Sequence, residues 1–270
     1  ALPPLRLVRG SHIVVDRLFD HEFGYFLQIG DGRIFFALPF EQDFTLIGTT
    51  DVDHQPGDPV EASEAEIDYL LAAANGWFKR QLSRADVRHS FSGVRPLVAS
   101  ADGKPEAASR GYRFDLSGAA EGAPLLTVLG GKLTSYRQLA EKAVDLLGTR
   151  LPGLGPAWTA GAALPGGDFP VKAIAALASE LARDYPFLGS ADALRIVRAY
   201  GTDARNWLGS ARAREELGRD YGAGLSEAEV RWMQDEEWAV SAEDILWRRS
   251  KLGLRLDAVA VRLLSEDLAR

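Results

Sequence analysis

The chain has 270 residues and no cysteine. That removes disulfides, thiolate zinc sites and cysteine nucleophiles from consideration. There is no G-x-G-x-x-G, so the usual backbone grip on a dinucleotide pyrophosphate is missing. Gly131-Lys132 is no Walker A loop, because the earlier glycine is absent and Leu133 follows. H-x-x-x-H, H-E-x-x-H, an EF-hand loop and G-x-S-x-G are all lacking, so no metal site or nucleophile elbow is expected. No apolar run reaches the length of a membrane-spanning helix, and no signal peptide is visible. Positive charge is in deficit: 31 basic against 38 acidic residues give a net charge of −7. Nucleic acid is therefore not expected as a main partner, although a local basic pocket is still allowed. The chain opens Ala1-Leu2-Pro3-Pro4 without an initiating methionine, which suggests a piece of a longer protein.

What is present divides into two kinds of sequence. Residues 1–150 read as an α+β domain with a mostly antiparallel sheet. A strand covers 7–15 with Gly10 at its centre. Two runs, 25–29 and 33–38, flank Gly30-Asp31-Gly32 as a hairpin. A strand at 44–50 ends in the polar tip Thr49-Thr50-Asp51. A helix is expected over 63–82, started by the capping box Ser63-x-x-Glu66 and carrying Ile67, Leu70, Leu71, Ala74, Trp77 and Phe78 at helical spacing. Strands follow at 87–97 and 111–116. After the Pro/Gly-rich stretch around 152–167, residues 151–270 read as a small all-α domain. Its helices are expected at 172–185, 191–200, 204–208, 226–238, 242–250 and 257–269. Trp232, Trp238 and Trp247 are expected in its core, and Asp235-Glu236-Glu237 on a solvated face.

The chemistry concentrates at Gly130-Gly131-Lys132-Leu133-Thr134. This motif follows the apolar strand 124–129 and opens a helix running to Leu147. Two glycines let a backbone approach a ligand closely, and a helix N-terminus with Lys132 favours an anionic or electron-rich group. Arg95, in Ser92-Gly93-Val94-Arg95-Pro96-Leu97, lies on a bent strand at a sheet edge or end. It can fork onto a carboxylate or phosphate, or form a structural ion pair. Arg110 is a second anion contact or a solvated loop arginine, and Arg137 a surface or packing arginine. His12 and His89 lie on strands and are either hydrogen-bonded core residues or proton acceptors. His21 and His54 read as solvated loop residues. Thr50 and Asp51 can bind polyol hydroxyls, or Asp51 can close a turn on its own backbone.

These residues recur in one family. The chain resembles the C-terminal portion of the FAD-dependent, aerobic, quinone-linked glycerol-3-phosphate dehydrogenases and the related glycerophosphate oxidases. The resemblance rests on Gly10-Ser11-His12-Ile13-Val14-Val15, Ile47-Gly48-Thr49-Thr50-Asp51-Val52, Tyr69-Leu70-Leu71, Ser92-Gly93-Val94-Arg95-Pro96-Leu97 and Gly130-Gly131-Lys132-Leu133-Thr134. Gly155-Pro156-Ala157-Trp158, Leu164-Pro165-Gly166-Gly167, Asp235-Glu236-Glu237-Trp238-Ala239 and Asp244-Ile245-Leu246-Trp247-Arg248-Arg249 complete the series in order.

The resemblance implies oxidation of sn-glycerol 3-phosphate to dihydroxyacetone phosphate, with hydride passing from C2 to FAD and electrons onward to quinone. It implies that Arg95, Lys132 and His12 serve catalysis and that Arg95, Arg110, Lys132, Thr50 and Asp51 hold the substrate. Gly130, Gly131, Lys132, Leu133 and Thr134 would lie against the flavin. It further implies a cytoplasmic enzyme peripheral to the inner face of the membrane, with homodimerisation left open. The family's FAD-binding segment should precede residue 1, so this chain alone is expected to hold FAD weakly or not at all and to lack turnover. Two other readings stand beside it: a related flavin-dependent amine or hydroxy-acid oxidase, and a non-catalytic interaction module.

Overall fold

The computed structural model describes residues 5–30, 32–98, 111–118, 122–151 and 153–269. The chain forms two compact units, Ala1–Ala160 and Gly161–Arg270.

The first unit is built on an antiparallel sheet. Its centre is β1 (Leu5–Asp16), where β-branched Val8, Ile13, Val14 and Val15 favour an extended, buried strand. The hairpin β2 (Tyr25–Gln28) and β3 (Ile34–Phe40) continues through β4 (Phe44–Gly48) to β1. The short β5 (Val52–Asp53) pairs with β1 at Val8 and Arg9, so β4 and β5 share one edge of β1 in tandem. β6 (Val87–Val98) runs along the other edge, from Leu5↔Val98 to Val15↔Val87.

One face of this sheet is covered by α1 (Glu64–Asn75). Ile13, Val15, Phe35, Ala37 and Ile47 from the strands pack with Leu70, Leu71 and Ala74 of the helix. Burying each such leucine or isoleucine contributes about 1.5–3 kcal/mol, which fixes the register of β1. The helix ends earlier than its apolar spacing suggests. Gly76 caps it, and the Asn75 side chain bonds both the N–H (2.7 Å) and the C=O (2.9 Å) of Leu82. That pairing draws the chain out of the helix and leaves Trp77 exposed.

A separate hairpin, β7 (Tyr112–Ser117) with β8 (Leu125–Gly130), leads to α2 (Tyr136–Gly148). The helix does not spring directly from the glycines. A tight turn at Leu133–Ser135 intervenes, because the Lys132 carbonyl accepts from both the N–H (3.0 Å) and the hydroxyl (2.9 Å) of Ser135.

The second unit holds α3 (Ile174–Asp184), α4 (Ser190–Tyr200), α5 (Ala204–Leu208), α6 (Glu227–Glu237), a π-type turn at Asp244–Arg249 and α7 (Ala258–Leu268). Leu181, Ile196, Leu208, Met233, Ile245 and Leu264 form its core. The helical reading did not contain the small hairpin of β9 (Asp220–Gly222) and β10 (Leu225–Ser226), which positive φ at Gly222, Ala223 and Gly224 makes possible. Arg195 grips the fully buried Glu229 through two bonds of 2.6 and 2.9 Å, and Tyr200 donates a third at 2.8 Å. Trp232 and Trp247 pack on the core, but Trp238 is 83% exposed, against expectation. It is the left-handed C-cap of α6, with φ 57°, and that backbone turns its side chain outward. Glu237 is half-buried rather than solvated, and burial raises its carboxyl pKa above the usual range.

Candidate active site

The sheet face opposite α1 carries the candidate site. Strand register puts Phe91, His12, Gly48, Phe36 and Phe26 in one row across four strand pairings. Phe26, Phe36 and Phe91 are exposed there. Phe26 and Phe36 meet edge to face at 5.2 Å, and Phe91 stacks on the His12 ring at 5.1 Å. His12 lies over Gly48, where any Cβ would strike the imidazole. Its Nδ1 is buried and has no hydrogen-bond partner among the described residues. Burial first, and then the positive charge of Arg95, lower its pKa below that of an ordinary histidine. His12 is therefore neutral at pH 7, the form in which an imidazole can take a proton.

Arg95 stands on the same face, paired with Val8 in register. Its guanidinium crosses β1 above Gly10, where a Cβ would collide with Nη2 and lie 2.7 Å from the Thr49 hydroxyl. Having crossed, it meets the strand tip after β4. Nη1 pairs with the Asp51 carboxylate at 2.9 Å. Nη2 donates to the Thr50 carbonyl at 3.0 Å and to the Thr49 hydroxyl at 3.3 Å. The arginine remains 36% exposed and Asp51 56% exposed, so both face solvent while joined. The ion-pair reading of Arg95 is thus met by Asp51, and the guanidinium still reaches solvent. Asp51 bonds Arg95 and closes no turn on itself.

Thr50 is the residue whose position departs most from its expected use. It is 3% exposed. Its hydroxyl accepts from the Ser11 N–H at 2.9 Å and donates to Glu66 Oε1 at 2.7 Å. Both roles of the hydroxyl are spent inside the protein, so its carbonyl, not its side chain, serves the open face.

Glu66 is the residue that sequence reading missed. It was visible only as the far end of the capping box. In the fold, Oε2 accepts from Arg9 (2.6 Å) and from the N–H (3.0 Å) and hydroxyl (2.8 Å) of Ser63. Oε1 accepts from the hydroxyls of Ser11 and Thr50, both at 2.7 Å. Burial alone would raise its pKa; the bonds from Thr50, Ser11 and Ser63 outweigh it and bring the value down to about 2.

The Gly130-Gly131 turn has positive φ at both residues, 71° and 105°. A Cβ at Gly130 would lie 2.7 Å from the Gly111 carbonyl and 3.1 Å from Val98, so only glycine lets the end of β8 come this close to the end of β6, the strand that carries Arg95. These glycines serve close packing and the turn. The surface that follows, Lys132, Leu133 and Thr134, is exposed, with Leu133 at 87%. A cation, an apolar side chain and the N–H groups of a first helical turn suit the edge of a flavin ring. Arg110 lies outside the described residues. His54 is buried, with its N–H bonded to the Leu7 carbonyl at 3.0 Å, contrary to the solvated reading. Arg137 makes an ion pair with Glu141 at 2.6 Å. No cluster suited to a metal ion occurs among the described residues.

Residues 1–137 match the FAD dependent oxidoreductase family, and residues 157–266 match the C-terminal domain of alpha-glycerophosphate oxidase. A glycerol-3-phosphate dehydrogenase of Pseudomonas aeruginosa is 48% identical over 93% of this chain and 49% of its own length. A D-erythritol 1-phosphate dehydrogenase of Brucella abortus is 44% identical over 93% of this chain and 50% of its own length. The solved glycerol-3-phosphate dehydrogenase of Bacillus halodurans, complexed with FAD, matches with a TM-score of 0.75 and 28% identity, over 98% of this chain and 53% of that one. The chain spans about half the length of the curated relatives it matches.

Proposed function

The chain belongs to the FAD-dependent oxidoreductases, and from that premise we propose that it forms the substrate-facing half of an enzyme oxidising sn-glycerol 3-phosphate to dihydroxyacetone phosphate. The observation that carries this reading is the open sheet face on which neutral His12 and the anchored guanidinium of Arg95 stand together.

FAD, when bound, supplies the two-electron acceptor for hydride from C2. The protein's own residues do the rest. Arg95, Lys132 and Arg110 neutralise and hold the phosphate. Asp51, kept in place by Arg95, accepts a hydrogen bond from a polyol hydroxyl. His12 takes the proton of the C2 hydroxyl at Nε2, and the aromatic row around it keeps water from the reacting carbon. Gly130 and Gly131 shape the turn that presents Lys132, Leu133 and Thr134 to the flavin.

The similarity to a D-erythritol 1-phosphate dehydrogenase favours a second reading, in which the substrate is a longer polyol phosphate. On either reading the electrons pass to quinone, and the enzyme is peripheral to the inner face of the cytoplasmic membrane. No described helix is long and apolar enough to cross a membrane. The test is steady-state oxidation by the complete polypeptide that its gene encodes, given glycerol 3-phosphate, erythritol 1-phosphate, sarcosine and glycine in turn. Glycerol 3-phosphate should give the highest kcat/KM, and Arg95→Ala and Lys132→Ala should each lower it at least tenfold. Preference for an amine, or unchanged turnover in both variants, would refute the proposal.

A further inference from the structure

Glu66 carries more than a helix cap requires. A capping box needs one carboxylate oxygen to accept from the N-cap residue, and Oε2 alone meets that need through Ser63. Oε1 turns instead to two residues of the sheet, Ser11 on β1 and Thr50 at the strand tip. Ser11 extends the network to Ser92 on β6 at 2.7 Å. Arg9, also on β1, balances the charge at 2.6 Å, with both side chains almost out of solvent. Glu66, 5% exposed, therefore ties the helix to β1 and to the strand tip directly, and to β6 through Ser11.

Thr50 passes this anchorage through the sheet. Its hydroxyl is held from the core side by Glu66, and its carbonyl receives Arg95 Nη2 on the open side. We propose that Glu66 is a positioning residue for the anion-binding arginine: by holding Thr50 from beneath, it fixes the strand tip on which the Arg95 guanidinium rests. This inference rests on the proposed role of Arg95 in binding a phosphorylated substrate. Glu66 touches neither substrate nor flavin. Its effect reaches the reaction only through Thr50, Asp51 and Arg95.

A double-mutant cycle in the complete enzyme tests it. Glu66→Gln keeps the shape but replaces acceptor capacity with an amide that must point a donor at hydroxyl and N–H donors. A tip displaced by a fraction of an ångström should lower kcat/KM for glycerol 3-phosphate by roughly 10- to 100-fold. In the Arg95→Ala background the same change should cost less than about twofold, because the residue it positions is gone. Thr50→Val should behave as Glu66→Gln does, and Thr50→Ser, which restores the hydroxyl, should recover activity. The Thr50 cycle decides the matter if Glu66→Gln does not fold. Equal losses in the wild-type and Arg95→Ala backgrounds would overturn the inference and leave Glu66 a structural cap and ion pair. If Arg95→Ala itself has no effect, the proposed function falls, and this inference with it.

Discussion

The buried carboxylate beneath the strand tip makes a quantitative statement about acid stability. Glu66 has an unfolded pKa near 4.5 and a folded value of about 2. A folded value below the unfolded one means that the native state prefers the charged form. The stabilisation is complete above pH 4.5 and is lost as the pH falls toward 2. A gap of about 2.5 units corresponds to roughly 3 kcal/mol, about half of it gone near pH 3.3. Other carboxylates are lowered as well, Asp16 by its bonds from Arg88 and Asp53 by its bond from Arg6. A pH series on the wild type alone would therefore mix their contributions. The informative quantity is the difference between wild type and Glu66→Gln, from urea unfolding curves at intervals between pH 7 and pH 2.5. Wild type should be the more stable at pH 7 by about 3 kcal/mol or more, since the variant also leaves buried donors unpaired. The gap should shrink steadily below pH 4.5. A gap that stays constant across the series would refute the reasoning, because the carboxylate would then contribute packing and no charge.

Other expectations follow from the same geometry. Gly10→Ala places a methyl group where the Arg95 guanidinium crosses β1; kcat/KM of the complete enzyme should fall at least about tenfold, and an unchanged value would show that the crossing does not matter. The acid limb of the kcat/KM profile should have its midpoint below 6.5, since His12 acts neutral and its pKa is lowered. His12→Gln should abolish that limb along with most turnover; a limb that persists at the same midpoint would assign it to another group. In the helical unit, Trp238→Gly should be neutral or stabilising by up to about 1 kcal/mol, as glycine accepts a left-handed cap without strain. Met233→Ala, in the fully buried core, should cost about 2–5 kcal/mol. Chemical denaturation of the two variants checks both values, and a larger loss for Trp238→Gly would contradict the outward placement of that ring.

Much of the architecture was legible because it is written locally. The apolar strand run at 7–15, the hairpin whose strands flank Gly30 and Gly32, and the capping box at Ser63 each act within a few residues, and each appears in the fold. The places that were not legible depend on partners distant in sequence. Asn75 ends α1 early by bonding Leu82 across a loop. His54 is buried because its backbone joins the edge of β1 at Leu7. Thr50 looked like a ligand-facing hydroxyl at a strand tip, and only the packing of α1 beneath the sheet shows that its side chain turns inward. Arg95, Lys132 and His12 could be singled out by type and setting. The glycines at 10 and 48, which make room for two of them, look like ordinary strand glycines until the neighbouring side chains are placed over them.

The Arg95 side chain spans from β6 across β1 to the tip beyond β4, joining segments that are not neighbours in the sheet. It works as a tie bar laid over the open face, holding three strand segments together with contacts that no ladder of the sheet supplies. The phosphate site proposed above would therefore be built on a cation that already carries a carboxylate neighbour. With Asp51 kept in place, repulsion at that end would disfavour a substrate with a second negative group and leave room for a neutral hydroxyl.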